Sequence, residues 1–233
     1  MKFFITLGNW IFRYRNAIFP FFYVALFIPS PDIFANKYAI ILGALIITSG
    51  IMVRSLTIGL EYIIRGGSKG KIHANKLVTG GIYSICRNPM YLGNILLILG
   101  FGIFANSLLF TALFFPLFVL IYYSIIKAEE AFLTRNFGEE YARYKVKVKA
   151  IIPDLSKINS ALKGYKFNWK RVFLREYNSL YIYFSGIELL LFYHNILGLN
   201  TFLILFAITS VLYAVTKILK KTTFRDYASN VEK

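Results

Sequence analysis

The chain alternates long apolar stretches with short segments dense in charge and aromatic rings. Six apolar stretches, at roughly 17–35, 38–64, 90–105, 107–126, 178–197 and 199–219, approach the ~20 residues a helix needs to cross a hydrocarbon core. The second is apolar mainly up to Val53. Its tail carries Arg54 and Glu61, so it is expected to continue as a helix beyond the bilayer. The third and fourth form one run from Met90 to Ile126, too long for a single span. Ala105-Asn106-Ser107 interrupts it and predicts a tight turn with Ser107 capping the next helix. The expected fold is therefore all-α, a polytopic membrane helical bundle of about six transmembrane helices arranged as three hairpins.

Composition agrees with this pattern. Of the 233 residues, 57% are hydrophobic, and the mean hydropathy is +0.57. Soluble domains lie nearer 45–50% apolar. The net charge of +16 is not spread evenly. Every Lys and Arg except Lys37 and Arg54 falls at the N-terminus, in the loop before Met90, in residues 127–177 or at the C-terminus. The positive-inside rule puts these segments in the cytoplasm. The chain is thus expected to be an integral, multi-pass membrane protein with both termini cytoplasmic. The same bias explains the basic charge without nucleic acid and holds the polar loops against anionic headgroups. The first 30 residues lack a small-residue cleavage site and do not resemble a cleaved signal. Cys86 is the only cysteine, so no intrachain disulfide forms, and the two histidines, His73 and His194, are too far apart to suggest a Cys/His metal site.

Four regions follow. Residues 1–64 form an N-terminal hairpin. Residues 65–153 hold the motif-rich centre. Residues 154–177 mix cations with Leu162, Phe167, Trp169, Val172 and Phe173, and predict one or two interfacial helices; a solvated basic linker is the alternative. Residues 178–233 add a final hairpin and tail. Glu188 in that hairpin either has a function or faces a neighbouring helix.

Candidate chemistry concentrates in two strings that flank the central apolar run, LVTGGIYSICRNPMYLG at 77–93 and EEAFLTRNFGEEYARYKVKVKAIIP at 129–153. Polar groups beside a span are costly and usually functional. In the first, Thr79-Gly80-Gly81 gives backbone freedom ahead of Tyr83. Asn88-Pro89 marks a helix start, with Asn88 as cap and Pro89 at the first helical position. A helix N-terminus beside Arg87 suits an anion such as a carboxylate; equally, Arg87 anchors the helix to headgroups and Asn88 only caps it. In the second string, Glu129-Glu130 stands where the fourth span leaves the membrane, suited to a cationic or amine-bearing ligand or to taking a proton. The other reading is a solvated face at headgroup level. On a helix, Tyr141 and Tyr144 share a face, as do Glu129 and Phe132. Lys145, Lys147 and Lys149 alternate with apolar residues and are expected to face lipid phosphates.

Taken in order, with a membrane hairpin between them, these strings resemble the integral-membrane methyltransferases related to isoprenylcysteine carboxyl methyltransferase and phospholipid N-methyltransferase. The resemblance covers roughly residues 38–153. It implies a cytoplasmic pocket for S-adenosylmethionine, lined by Lys76, Leu77, Val78 and Tyr83, with contacts from Arg87, Asn88, Pro89, Met90 and Tyr91, and closed by Glu129. The acceptor it implies is a lipid or lipidated molecule. Two positions depart from the pattern. Asn88 stands where many relatives have His, and Ile125 stands where the isoprenylcysteine enzymes carry an Arg that meets the acceptor carboxylate. An amine-bearing lipid is therefore the expected acceptor, with Glu129 or Glu130 as general base. Carboxyl methylation is the alternative, and outside this class a sterol-reductase-like enzyme using NADPH or a non-catalytic membrane scaffold.

Overall fold

The computed structural model describes residues 2–60, 72, 74 and 76–224. Glu61, Arg65, Lys69, Lys71, His73 and the tail from Arg225, all used above, lie outside the described residues. Seven α-helices account for the described architecture: α1 (Lys2–Tyr23), α2 (Asn36–Leu60), α3 (Pro89–Phe104), α4 (Phe115–Lys147), α5 (Ile158–Leu162), α6 (Trp169–Tyr193) and α7 (Leu199–Lys221). A π-helical turn, Phe110–Phe114, leads into α4. The all-α membrane bundle is as expected. Among the described residues, three helical segments are long and apolar enough to cross a bilayer: Asn36–Leu60, Phe110–Lys147 and Leu199–Lys221; Pro89–Phe104 is apolar but shorter.

The first apolar stretch departs from its expected limits. The helix begins at Lys2, takes in Arg13 and Arg15, and gives way after Tyr23 to a short 3-10 turn ending at Phe27. Pro29 and Pro31 follow. Proline lacks the N–H that would continue the ladder and pushes its predecessor out of helical conformation, so residues 28–35 connect rather than span.

The chain forms two compact units, Met1–Lys166 and Phe167–Lys233. In the first, α2 packs on α3 and α1 on α4. The α2–α3 approach is backbone to backbone. A Cβ on Gly43 would lie 2.5 Å from the Phe104 nitrogen, and one on Gly100 would lie 2.8 Å from the Ile47 nitrogen. Small residues at such crossings gain van der Waals contact where lipid offers no hydrophobic drive. α1 runs antiparallel to α4, with Phe4 against Tyr123 at 5.3 Å and Phe19 and Phe22 against Phe118 at 5.2 and 5.4 Å between ring centroids.

The turn at Asn106 forms as expected. Asn106 has φ 50, an allowed conformation for Asn, and the Ser107 hydroxyl accepts the Phe110 N–H at 3.2 Å. Asn106 also clasps the α1–α2 connection. Its Oδ1 accepts from the N–H groups of Ile33 and Phe34, and its Nδ2 donates to the Phe34 carbonyl at 2.6 Å.

In the second unit, α6 and α7 form a hairpin. Tyr181 packs against Tyr213 at 4.6 Å, and Thr209 donates to Glu188 Oε1 at 2.5 Å. Glu188 thus faces the neighbouring helix. Residues 155–162, part of the basic linker, form a 3-10 turn and the short α5, both within the first unit.

Candidate active site

The two strings meet through their backbones before any charged side chain is considered. The N–H groups of Arg87 and Asn88 donate to the carbonyls of Lys149 and Ala150 at 2.9 and 3.0 Å, and the Asp154 N–H returns to the Ile85 carbonyl at 3.0 Å. Gly81, at φ 53, makes the turn that starts this segment, a conformation glycine adopts without cost. The Tyr144 hydroxyl donates to the Tyr83 carbonyl at 2.6 Å. Tyr144, Tyr141 and Leu133 form a buried cluster on which Leu77, Phe132 and Phe137 pack. Tyr141 and Tyr144 share a face as expected, even though Gly138 (φ 46) kinks α4 just before them.

Asn88 occupies the N-cap position of α3, and Pro89 begins the helix, yet the Asn88 side chain does not cap it. Its Nδ2 donates instead to the Ala150 carbonyl at 3.0 Å. At φ −129, ψ 58, it leaves the helix start to the backbone: the Tyr91 and Leu92 N–H groups both donate to the Asn88 carbonyl at 3.1 Å. Asn88 is therefore a staple between the strings.

The paired glutamates divide. Glu129 is buried, and its Oε1 accepts the Tyr91 hydroxyl at 2.6 Å, joining the first turn of α3 to α4. Glu130 Oε1 lies 2.8 Å from Arg87 Nη2, while Glu130 Oε2 lies 3.2 Å from Lys127 Nζ and 3.3 Å from Lys145 Nζ. Arg87 is 7% exposed, and its Nε and Nη1 have no hydrogen-bond partner among the described residues. Two buried donors left open beside a carboxylate cluster are costly in a folded chain unless a ligand takes them.

The remaining predicted residues are less uniform. Val78 and Tyr83 are buried against each other, Leu77 and Met90 are half-buried, and Lys76 is exposed. The expectation that Lys145 faces lipid phosphate is overturned. α4 continues through Lys147, so the apolar alternation around it is not the alternation of a strand, and its amine turns to Glu130. Lys127 also escaped the sequence reading, although its i,i+3 spacing to Glu130 on a helix could have signalled it. Cys86 is buried and contacts the Ile151 carbonyl at 3.2 Å; burial pushes its thiol up to about 11.

Residues 38–140 match the family model for phospholipid methyltransferase. The chain is 44% identical over 82 residues to a cobalt-zinc-cadmium resistance protein of Cupriavidus metallidurans, a match covering 35% of this chain and 38% of that protein. It is 38% identical over 89 residues to a nickel-cobalt-cadmium resistance protein of Alcaligenes xylosoxydans, covering 37% and 40%. It is 38% identical over 81 residues to the protein-S-isoprenylcysteine O-methyltransferase of Schizosaccharomyces pombe, covering 33% of each chain. The chain thus spans about a third to two-fifths of the length of these relatives. No solved structure matches it. The resemblance to integral-membrane methyltransferases, carried by the two strings, holds over this segment.

Proposed function

We propose that the chain is a membrane-embedded methyltransferase that moves a methyl group from S-adenosylmethionine to a lipid or lipid-like acceptor bearing an amine. The observation that carries this reading is the pair of open donors on buried Arg87, set where both strings converge. The donor set fits the cofactor. Arg87 would take its carboxylate, Glu129 would take one of its cationic or hydroxyl groups, and Leu77, Val78, Tyr83, Asn88, Pro89 and Met90 would line the pocket around it, with Lys76 at its rim. When bound, the cofactor supplies an electrophilic methyl on a sulfonium. Tyr91 fixes the Glu129 carboxylate by a hydrogen bond, so its second oxygen keeps a set direction. Proximity and alignment of this kind can supply about 7–11 kcal/mol of a barrier. A protonated amine must first lose a proton, and Glu129 would accept it, Glu130 being held by three cations.

Ile125 supports the amine acceptor. It is fully buried, and the resemblance implies that the isoprenylcysteine enzymes carry the cation for a carboxylate acceptor at this place. Calorimetry on the purified protein tests the proposal. S-adenosylmethionine is expected to bind, with binding or turnover lost in Glu129→Gln and binding weakened in Arg87→Gln. Tight binding with full turnover in Glu129→Gln would remove Glu129 from the mechanism, and no heat with the wild type would remove the cofactor.

A further inference from the structure

A second concave surface lies on α1 and α4, its α4 wall running from Ala128 into the start of the second string at Ala131, Phe132 and Arg135. It encloses about 690 Å³, within the size range of small-molecule sites. α1 contributes Asn9, Phe12 and Arg13, spaced i, i+3, i+4; α4 contributes Ala128, Phe132 and Arg135, spaced i, i+4, i+7. Each set therefore occupies one face of its helix. The floor is apolar, and the polar groups are two guanidinium cations and an amide. No ion pair engages Arg13 or Arg135 among the described residues. Arg13 lies over the Tyr14 ring at 5.5 Å and Arg135 over the Phe132 ring at 6.0 Å, arrangements that leave guanidinium N–H groups to a ligand. The surface adjoins the proposed reaction site: Ala128 precedes Glu129, and Phe132 lies one turn beyond Glu129 on α4.

We propose that this groove binds the anionic end of the methyl acceptor, a phosphate or carboxylate separate from the group that is methylated, with the acyl or prenyl chain along Phe12, Ala128 and Phe132. The inference rests on the methyltransferase reading for the identity of the ligand, but the groove's chemistry stands independently. Two arginines from different helices match a tetrahedral or planar oxyanion, and an apolar floor beneath them matches an amphiphile better than a soluble anion. Buried Ile125 stands where the resemblance implies an acceptor cation, and Arg13 and Arg135 supply positive charge at a different wall.

The test uses the full chain in phosphatidylcholine nanodiscs, titrated with dodecyl phosphate, dodecanoate and dodecyltrimethylammonium and followed by native mass spectrometry. Both anions are expected to bind in preference to the cation. Tighter binding of dodecyl phosphate assigns a phosphate headgroup, and tighter binding of dodecanoate assigns a carboxylate. Arg13→Gln with Arg135→Gln is expected to weaken anion binding about tenfold or more, the loss of charge-assisted hydrogen bonds. Arg13→Lys with Arg135→Lys is expected to retain most of it. Equal binding by the wild type and the double Gln variant, or equal binding of the cation, overturns the proposal. S-adenosylmethionine calorimetry on the same variants is expected to be unchanged. The cofactor reading thus fails separately, in the Arg87 and Glu129 variants, and the groove fails here.

Discussion

The Arg87–Glu130 pair makes a prediction whose order, as well as size, follows from geometry. Among the described residues Arg87 has one carboxylate within ion-pair distance, whereas Glu130 has three cations. The two side chains are only 8% and 6% exposed, so neither can escape to water without rearrangement. Breaking a buried pair by removing one partner costs about 3–5 kcal/mol, because the other charge is left uncompensated. Glu130→Gln leaves Arg87 in that condition and is expected to cost about 3 kcal/mol. Arg87→Gln leaves Glu130 with Lys127 and Lys145. Lys145 is 42% exposed and contributes little, but Lys127 is 21% exposed and retains useful compensation. The expected cost falls to about 1–2 kcal/mol. The double variant should cost less than the sum, with a coupling of about 1–2 kcal/mol. Equilibrium unfolding in mixed micelles, read by circular dichroism, gives all three values. Additive costs, or Arg87→Gln costing more than Glu130→Gln, would refute the assignment of Glu130 as the latch between the two strings.

Two further outcomes test the frame around the site. Gly8→Ala would place a Cβ 2.0 Å from the Ser124 carbonyl oxygen, a backbone atom that cannot swing aside, so α1 must move from α4. Overpacking of this kind costs about 1–3 kcal/mol even after the better helix propensity of alanine, read in the same unfolding assay. The Cys86 thiol, raised from 9.0 to about 11 by burial, stays neutral in the folded chain while the unfolded thiol ionises. Its contribution to stability is therefore full below pH 9.0 and lost as pH rises from there to about 11. Maleimide at pH 8 is expected to label it only after unfolding, and labelling of the folded protein at the rate of a free thiol would contradict the burial.

What could be read from the sequence was local. The turn at Asn106 was legible because Asn and Ser carry turn and cap chemistry in their own side chains. The breaking signal of Pro29 and Pro31 is equally local, yet the apolar run across it masks it, so the expected first span lies further along the chain than the helix Lys2–Tyr23. Asn88 reads as a cap because its position allows one; only the approach of the Ala150 carbonyl decides otherwise. That approach belongs to backbone pairing between residues 85–88 and 149–154, which leaves no mark on side-chain identity. Lys145 was misread for a related reason. Its alternating context suggested a face turned to lipid, but a continuous helix through Lys147 gives that residue a different direction.

The adjacency of Glu129 and Glu130 is itself informative. Consecutive residues on a helix point about 100° apart, so the two carboxylates cannot share one ligand as an i,i+4 pair would. Here the divergence is used: one carboxylate faces α3 and receives the Tyr91 hydroxyl, and the other faces the loop before α3 and receives Arg87. Both partners sit within five residues of each other on the first string, on either side of the Asn88-Pro89 helix start. A single helical turn of α4 thus grips a single helix N-terminus from two directions. A pair spaced one turn apart would hold α3 along one line only and would leave it free to rotate about that line. The division of labour follows from this geometry. The carboxylate paired with three cations holds the string in position, and the one that receives the Tyr91 hydroxyl holds the first turn of α3.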